Sequence, residues 1–446
     1  MLSCCRGVRA AKTGREDRPS FGESEKNMPR AEALERFDQL RIREVGSMDG
    51  LAASAFRAKF QSIAASLEPD ERIKLVVYAH RNSVELLEAV LADPQANKIS
   101  ILHWEHIRKE DVNSVIPLLI NNCPELAFLR VHLSQHSEFD FVSSVLEHPS
   151  VNIRVLEMPE NAKGDSTRLF AALGRSQVSA LTIYSGASPE FCQGLCKYLA
   201  KDLLVRLKIW RVCRQVPPEM AMSLAKCTRL AKLEMLRCEL FRPTAFNHLP
   251  KSITKLVLFG CMSAGDFDWS FLADSNVREL DFQSVRGVDG NQLGSALVVH
   301  LRAKGLDELR LRDCRFVDET LAVVGVELGR IKKLDLENSV LNDASVELIA
   351  LALQAPNNEL RELTSWYNWD AVSIKNHLVP ALKHPNCNLA ELNLLAYVRP
   401  AKTMEATFRK RRALLVLLQG QQVKRRYCPL RRLPVEMFRL VGKALI

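Results

Sequence analysis

A short apolar frame returns along most of the chain at a nearly constant interval. The frame reads apolar-x-x-Leu-x-apolar, and its leucine is called the frame leucine below. Successive frame leucines lie 23 to 29 residues apart, and eleven steps cover 290 residues. They are Leu102, Leu129, Leu156, Leu181, Leu207, Leu233, Leu256, Leu280, Leu309, Leu334, Leu363 and Leu392. A period of 20 to 50 residues is typical of a solenoid, because one such repeat cannot bury its apolar side chains without stacking on its neighbours.

The residues between successive frames predict one helix in each repeat. Apolar residues recur at i, i+3, i+4 and i+7 in segments such as 292–304 and 343–354. Proline follows several of these segments, as at Pro356 and Pro385, where it ends the helix before the next strand begins. Each unit therefore reads strand, turn and helix, and a helical segment from Leu51 onward predicts an N-terminal cap.

Side-chain alternation in a strand predicts which residues face outward. If the frame leucines point into the core, the residues one before, one after and three after each of them line the outer surface of the sheet. Three residues after the frame leucine, four consecutive repeats and one later repeat carry Tyr184, Trp210, Leu236, Phe259 and Trp366. An exposed apolar stripe across neighbouring strands is typical of a protein interface. The candidate partner-binding set also includes the basic residues Arg206, Lys208, Lys232, Arg310 and Arg312.

Two alternatives to this interface stay open. The strand register can be off by one residue, or flanking loops can cover the stripe. The charges one residue after the frame leucine change sign along the array, at Arg130, Lys208, Glu234, Asp281, Arg310 and Asp335. Such alternation is also typical of solvated charges that pair between neighbouring strands and bind nothing.

The segments from Leu306 to Cys314 and from Ile331 to Ser339 resemble the strand portion of leucine-rich repeats. Helical return segments and steps near 26 to 29 residues are similar to those of the ribonuclease-inhibitor subtype. The resemblance covers roughly residues 73–398 and implies an α/β solenoid of about 12 to 13 repeats. In that fold the parallel strands line a concave face, the helices lie on the convex face, and the usual ligand is a protein.

Three cysteines occupy the position five residues after the frame leucine, where this fold places Asn or Cys. They are Cys238, Cys261 and Cys314, and we expect reduced, buried thiols there. A pair at Cys192 and Cys196 lies on a predicted helix without a second pair, which favours ordinary packing over zinc binding.

The charge of +10 is concentrated at the C-terminus. Residues 399–446 carry thirteen Lys or Arg and two acids, so the remainder sums to about -1 and makes no general case for nucleic-acid binding along the array. We expect disorder over 1–46, the solenoid with its helical cap over 47–398, and a basic helical segment over 399–446. The absence of a long apolar run or signal-type stretch predicts a cytoplasmic location, with a nuclear one as alternative.

The end of the chain has a separate candidate function. The last residues of the chain are similar to the opening of an F-box, at Leu433, Pro434, Glu436, Met437, Leu440 and Val441. An F-box is the helical segment by which substrate receptors bind the adaptor of a cullin ubiquitin ligase. A helix that caps the open end of the solenoid explains the same pattern. The basic clusters could also bind nucleic acid or acidic lipid, and acylation of Cys4 and Cys5 is a further alternative to an unmodified N-terminus.

No catalytic, cofactor or metal motif stands out. There is no Gly-rich phosphate loop or nucleophile elbow. His132 and His136 are four residues apart, a spacing that brings two ligands together only on a helix, whereas this segment is a predicted strand and loop, which argues against a metal site. The sequence therefore predicts a non-enzymatic interaction scaffold or receptor, with no cofactor and no metal, that binds a protein on its concave face. The ubiquitin-ligase receptor and the anion-binding tail stay as alternatives.

Overall fold

The structure is a computed structural model of the chain. The residues it describes are 41–46, 52–68, 71–77, 83–107, 109–133, 138–158, 165–184, 189–210, 218–240, 249–263, 268–339, 341–366 and 371–395. The predicted C-terminal segment 399–446, the F-box-like positions within it, Cys4 and Cys5 all lie outside these residues.

The strands run in chain order along the described region. They are β1 Arg41–Gly46, β2 Glu71–Val77, β3 Ile99–Ile107, β4 Phe128–Leu133, β5 Val155–Met158, β6 Ala180–Tyr184, β7 Arg206–Trp210, β8 Lys232–Leu236, β9 Glu239–Leu240, β10 Lys255–Phe259, β11 Met262–Ser263, β12 Glu279–Gln283, β13 Leu306–Arg312, β14 Ile331–Asp335, β15 Glu362–Trp366 and β16 Glu391–Leu395. Within the described residues, β9 and β11 pair with each other and the other fourteen form one sheet.

One helical segment follows most strands. The helices are α1 Ala53–Ala65, α2 Ser83–Leu91, α3 Lys109–Asn122, α4 Glu138–Glu147, α5 Ser166–Arg175, α6 Pro189–Leu199, α7 Pro218–Ala225, α8 Phe271–Asp274, α9 Gly290–Lys304, α10 Val317–Val324, α11 Asp343–Gln354, α12 Ala371–Ser373 and α13 Val379–Lys383, with a π-helical turn at Ile374–Leu378. No described helix has both the length and the apolar character needed to cross a membrane.

Every frame leucine pairs with the frame leucine of the next strand. The parallel register aligns Leu102 with Leu129 at one end and Leu363 with Leu392 at the other, and all twelve are buried. Strand order follows chain order, and the sheet stays open. The chain is therefore an α/β leucine-rich-repeat solenoid, which confirms the predicted fold class.

The sheet begins earlier in the chain than the repeat pattern indicates. An interval of 26 residues before Leu102 falls on Val76. The residue that aligns with Leu102 is Leu75, one position earlier. The strand β1 then pairs with β2 in parallel register, so the sheet begins at Arg41, ahead of the boundary predicted at residue 47.

The turn after each frame has a recurring backbone conformation. Four residues after the frame leucine, five consecutive repeats adopt a left-handed φ between 50° and 59°, at Arg237, Gly260, Ser284, Asp313 and Asn338. This conformation disfavours most side chains, yet only one of the five residues is glycine. The turn repeats because the N–H of the left-handed residue donates to the next strand, as from Gly260 to Gln283 O at 2.7 Å.

The next position closes the turn with a side-chain hydrogen bond. The Cys261 thiol donates to Met235 O at 3.2 Å, and the Ser339 hydroxyl donates to Leu311 O at 2.6 Å. Each acceptor belongs to the preceding strand, so these bonds join one repeat to the next. Burial raises the pKa of Cys261 and Cys314 to about 12, which keeps both thiols protonated. Cys238, Cys261 and Cys314 are buried thiols, as the sequence predicts, and no described cysteine forms a disulfide.

A buried histidine links two repeats below the sheet. Both ring nitrogens of His300 on α9 lie 2.8 Å from carbonyl oxygens, those of Leu272 and Val277. Burial lowers the pKa of His300, although the two carbonyls oppose that shift. The ring is 1% exposed, so burial penalises the charged form, although only the charged form can donate to both carbonyls.

This histidine makes the stability of the fold depend on pH. Because its pKa is lower in the folded state, the unfolded chain takes up a proton first, and the free energy of unfolding should fall as the pH drops below about 6.5. His300→Gln should flatten that fall between pH 7.5 and 5 in urea unfolding followed by circular dichroism. His148→Gln, at a turn, should keep the wild-type slope; identical slopes in wild type and His300→Gln would contradict the assignment.

Candidate partner-binding surface

In each repeat, the side chains at three positions lie on the same side of the sheet. Residues one before, one after and three after the frame leucine form this strand face, while the frame residue and the residue two after it are buried, as at Leu207 and Ile209 in β7. The same alternation holds in β10 and β12, and in β8 except that Leu236 is buried. The predicted register of the site strands is therefore the one that the structure has.

An apolar row crosses four neighbouring strands on the strand face. The pairing aligns Tyr184 with Trp210, Trp210 with Leu236, and Leu236 with Phe259. The rings of Tyr184 and Trp210 lie 5.6 Å apart at an angle of 37°. The three aromatic side chains are half-buried, whereas Leu236 is only 8% exposed and contributes little surface. The apolar row is thus three partly exposed rings with Leu236 packed between them.

Two arginines lie over the rings. The guanidinium carbon of Arg237 is 5.6 Å from the centre of the Trp210 ring, and that of Arg130 is 6.0 Å from the centre of the Tyr184 ring. A cation in this position is attracted by the ring electrons and holds the ring in place. Neither arginine is a predicted site residue. Arg237 reaches Trp210 from a turn of the next repeat, which strand alternation alone does not indicate.

A basic row runs parallel to the apolar row, four residues earlier in each strand. Arg206 aligns with Lys232, and Lys232 aligns with Lys255, all of them half-buried. Lys255 was absent from the predicted set, although it occupies the same frame position as the other two. Between the rows, Glu234 forms ion pairs with Lys232 at 2.5 Å and with Lys208 at 3.6 Å. One carboxylate therefore serves two of the lysines.

The other two predicted arginines are engaged in ion pairs on the strand face. Arg310 contacts Glu308 at 2.7 Å and Asp281 at 3.1 Å. Arg312 pairs with Asp335 and lies 3.6 Å from Glu337. Burial alone would lower the pKa of Arg310, but its hydrogen bond to Asp281 and the neighbouring carboxylates raise it. Each of these arginines contacts two carboxylates, whereas Lys232 and Lys255 of the basic row contact one each. The arginines are therefore more fully neutralised within the array than the basic row.

Trp366 is the predicted site residue that the fold separates from the others. It lies at the same position of β15, but β12, β13 and β14 stand between it and Phe259. Gln283 and Arg312 occupy the corresponding positions of the first two of these strands. The fold brings Tyr184, Trp210 and Phe259 together and leaves Trp366 elsewhere on the array.

The described residues hold no group of three or more His, Cys, Asp or Glu side chains that could bind a metal. Of the pair considered in the sequence, His136 lies outside them. Glu157 lies on the strand face of β5, where burial raises its pKa and Arg130 and Lys208 oppose the rise. Its cationic neighbours favour the charged form, so it forms part of the ladder with Arg130 at 3.6 Å.

Comparison with known proteins gives structural likenesses at low identity. No family model and no curated protein matches the chain. An internalin (inlF) from Listeria monocytogenes matches with a TM-score of 0.41 and 12% identity, over 78% of this chain and 92% of the other. A plant peptide hormone receptor, RGFR1, in complex with RGF2, matches with a TM-score of 0.33 and 11% identity, over 73% of this chain and 55% of the other.

Proposed function

We propose that this chain is a non-enzymatic interaction protein that binds a partner protein on the strand face between β6 and β10. The observation that carries the proposal is the apolar row, which presents Tyr184, Trp210 and Phe259 on neighbouring strands. Aromatic and arginine side chains are the types that contribute most of the binding energy in protein interfaces.

The contacts that hold these rings in place also favour binding. Trp210 and Tyr184 contact each other, and an arginine lies over each ring. Leu236 is packed between Trp210 and Phe259 in register. Since the backbone ladder fixes the spacing of the strands, the rings lose little conformational freedom on binding, which reduces the entropic cost of association.

The test is a paired substitution in the full-length chain. Trp210→Ala with Phe259→Glu should lower recovery of the partner about thirtyfold or more in quantitative affinity purification, as expected for two residues at the centre of an interface. The matched control is Met222→Ala with Val299→Glu, which alters two exposed apolar residues on α7 and α9, 58% and 52% exposed. Thermal melts of both variants verify folding.

The same experiment distinguishes the alternative functions. Equal loss in the control, or no loss in the test variant, would contradict binding on the apolar row. A chain truncated after Tyr397 identifies partners that need only the basic tail. Recovery of a cullin adaptor that disappears on deleting residues 429–446 would favour the ubiquitin-ligase receptor instead.

A further inference from the structure

From β6 to β16 the strand face has opposite charges in its two halves, β6 to β10 and β12 to β16. The nearly neutral sum over the array conceals this difference. Between β6 and β10 it carries four cations, Arg206, Lys208, Lys232 and Lys255, and one carboxylate, Glu234, a net charge of +3. Between β12 and β16 it carries three cations and seven carboxylates, a net charge of -4. These residues are Arg310, Arg312, Lys333, Glu279, Asp281, Glu308, Asp335, Glu337, Glu362 and Glu391.

The positive half coincides with the apolar row. An acidic partner is attracted to the strands that carry Tyr184, Trp210 and Phe259 and is repelled by the strands that follow. Internal ion pairs neutralise part of this charge. Because Glu234 is shared by Lys208 and Lys232, these strands stay net positive even when the pair of Lys255 with Glu279 at the border of the two halves is included. The charge pattern therefore favours a negatively charged partner and determines where along the array it binds.

The distance between the two rows indicates the width of the partner element. Four residues separate Arg206 from Trp210 within β7, and the same interval separates Lys255 from Phe259. At about 3.3 Å per residue this is roughly 13 Å. An α-helix with its side chains is about 10 to 12 Å wide. One helix lying across the strands can therefore cover the apolar row with one flank and the basic row with the other.

The spacing of the strands favours a helix over an extended segment. Neighbouring strands lie about 4.8 Å apart, and one helical turn advances about 5.4 Å. An extended segment repeats a side chain on one face about every 6.7 Å. Over the three intervals from β6 to β10 the helix deviates by about 2 Å and the extended segment by about 6 Å. A helix can thus place one side chain over each strand.

We propose that the partner segment is an acidic amphipathic α-helix of about three to four turns that lies across β6, β7, β8 and β10. Its apolar side chains contact Tyr184, Trp210 and Phe259, and its carboxylates pair with Arg206, Lys232 and Lys255. This inference rests on the proposed function, because it names the chemistry of the partner that the apolar row binds.

The test selects binders from two displayed peptide libraries with the full-length chain as bait. One library holds helix-forming 18-residue peptides randomised at exposed positions, and the other holds 18-residue peptides with prolines that prevent helices. Clones that lose binding to a Phe259→Glu bait are sequenced. We expect them to come from the helical library and to be net acidic, and we expect their affinity to fall as salt rises.

A charge-matched pair of baits tests the role of the basic row. Arg206→Gln, Lys232→Gln and Lys255→Gln together should weaken the selected helices about tenfold, the sum of three partly exposed ion pairs. Lys251→Gln, Arg278→Gln and Arg361→Gln remove the same charge from exposed residues that precede the strand face and should leave the affinity unchanged.

The outcomes separate this inference from the proposed function. Clones that require Phe259 but are basic, neutral or proline-containing would overturn the acidic helix and leave binding on the apolar row intact. Equal weakening by the two triple variants would also overturn it. If neither library yields a clone that depends on Phe259, the acidic helix and the apolar-row interface both fail.

Discussion

Replacing Leu309 with alanine is expected to lower the free energy of unfolding by about 2 to 5 kcal/mol, the range for a large-to-small change in a packed core. Leu309 is fully buried and aligns with Leu280 on one side and Leu334 on the other. The loss should be large because the cavity opens between two repeats, and a solenoid is stabilised by the contacts between adjacent repeats. Urea unfolding followed by circular dichroism measures it.

The shape of that transition carries further information. If the array unfolds as one unit, Leu309→Ala shifts the midpoint and leaves the dependence on urea unchanged. If the repeats on the two sides of Leu309 uncouple, the transition broadens into two steps. The control is Val299→Ala on the solvent side of α9, where the side chain is 52% exposed and the loss should stay below about 0.5 kcal/mol. A comparable loss in both variants would contradict the core assignment.

Much of the fold could be predicted because its determinants are buried and periodic. The frame leucines form one continuous ladder from Leu102 to Leu392, and the thiols five residues later bond where the sequence places them. The left-handed turn residue is harder to predict, because Arg237 and Ser284 are not residues that favour this conformation. Hydrogen bonds to the neighbouring strand impose it, so the cause lies outside the local sequence.

The candidate site could be predicted in part for the same reason. Strand alternation identifies the positions of Tyr184, Trp210 and Phe259, since these depend only on register. It does not distinguish Lys232 in the basic row from Arg310, whose neighbours on two strands pair with it. It also misses Arg237, whose side chain reaches across to the Trp210 ring. Position along a strand is local, whereas ion pairing and stacking depend on the adjacent repeats.

Replacing Gly294 with leucine is expected to cost about 3 kcal/mol, at the upper end for overpacking a closely packed interior. Gly294 lies on the buried side of α9, where α10 approaches closely. A Cβ there would lie 2.7 Å from the Val323 Cβ and 3.0 Å from the Thr320 carbonyl oxygen. Neither atom is the end of a flexible side chain. The two helices must separate to admit the substitution.

The matched control is Gly174→Leu in α5, where a Cβ would meet only the end of the Lys201 side chain. That side chain can move aside, and leucine favours a helix over glycine by about 0.8 kcal/mol, so this variant should be neutral or slightly stabilised. Urea unfolding of the two variants beside the wild type isolates the effect of packing from that of helix propensity. If Gly294→Leu is as stable to urea as the wild type, the contact between α9 and α10 tolerates a larger side chain, which contradicts the close approach of these helices.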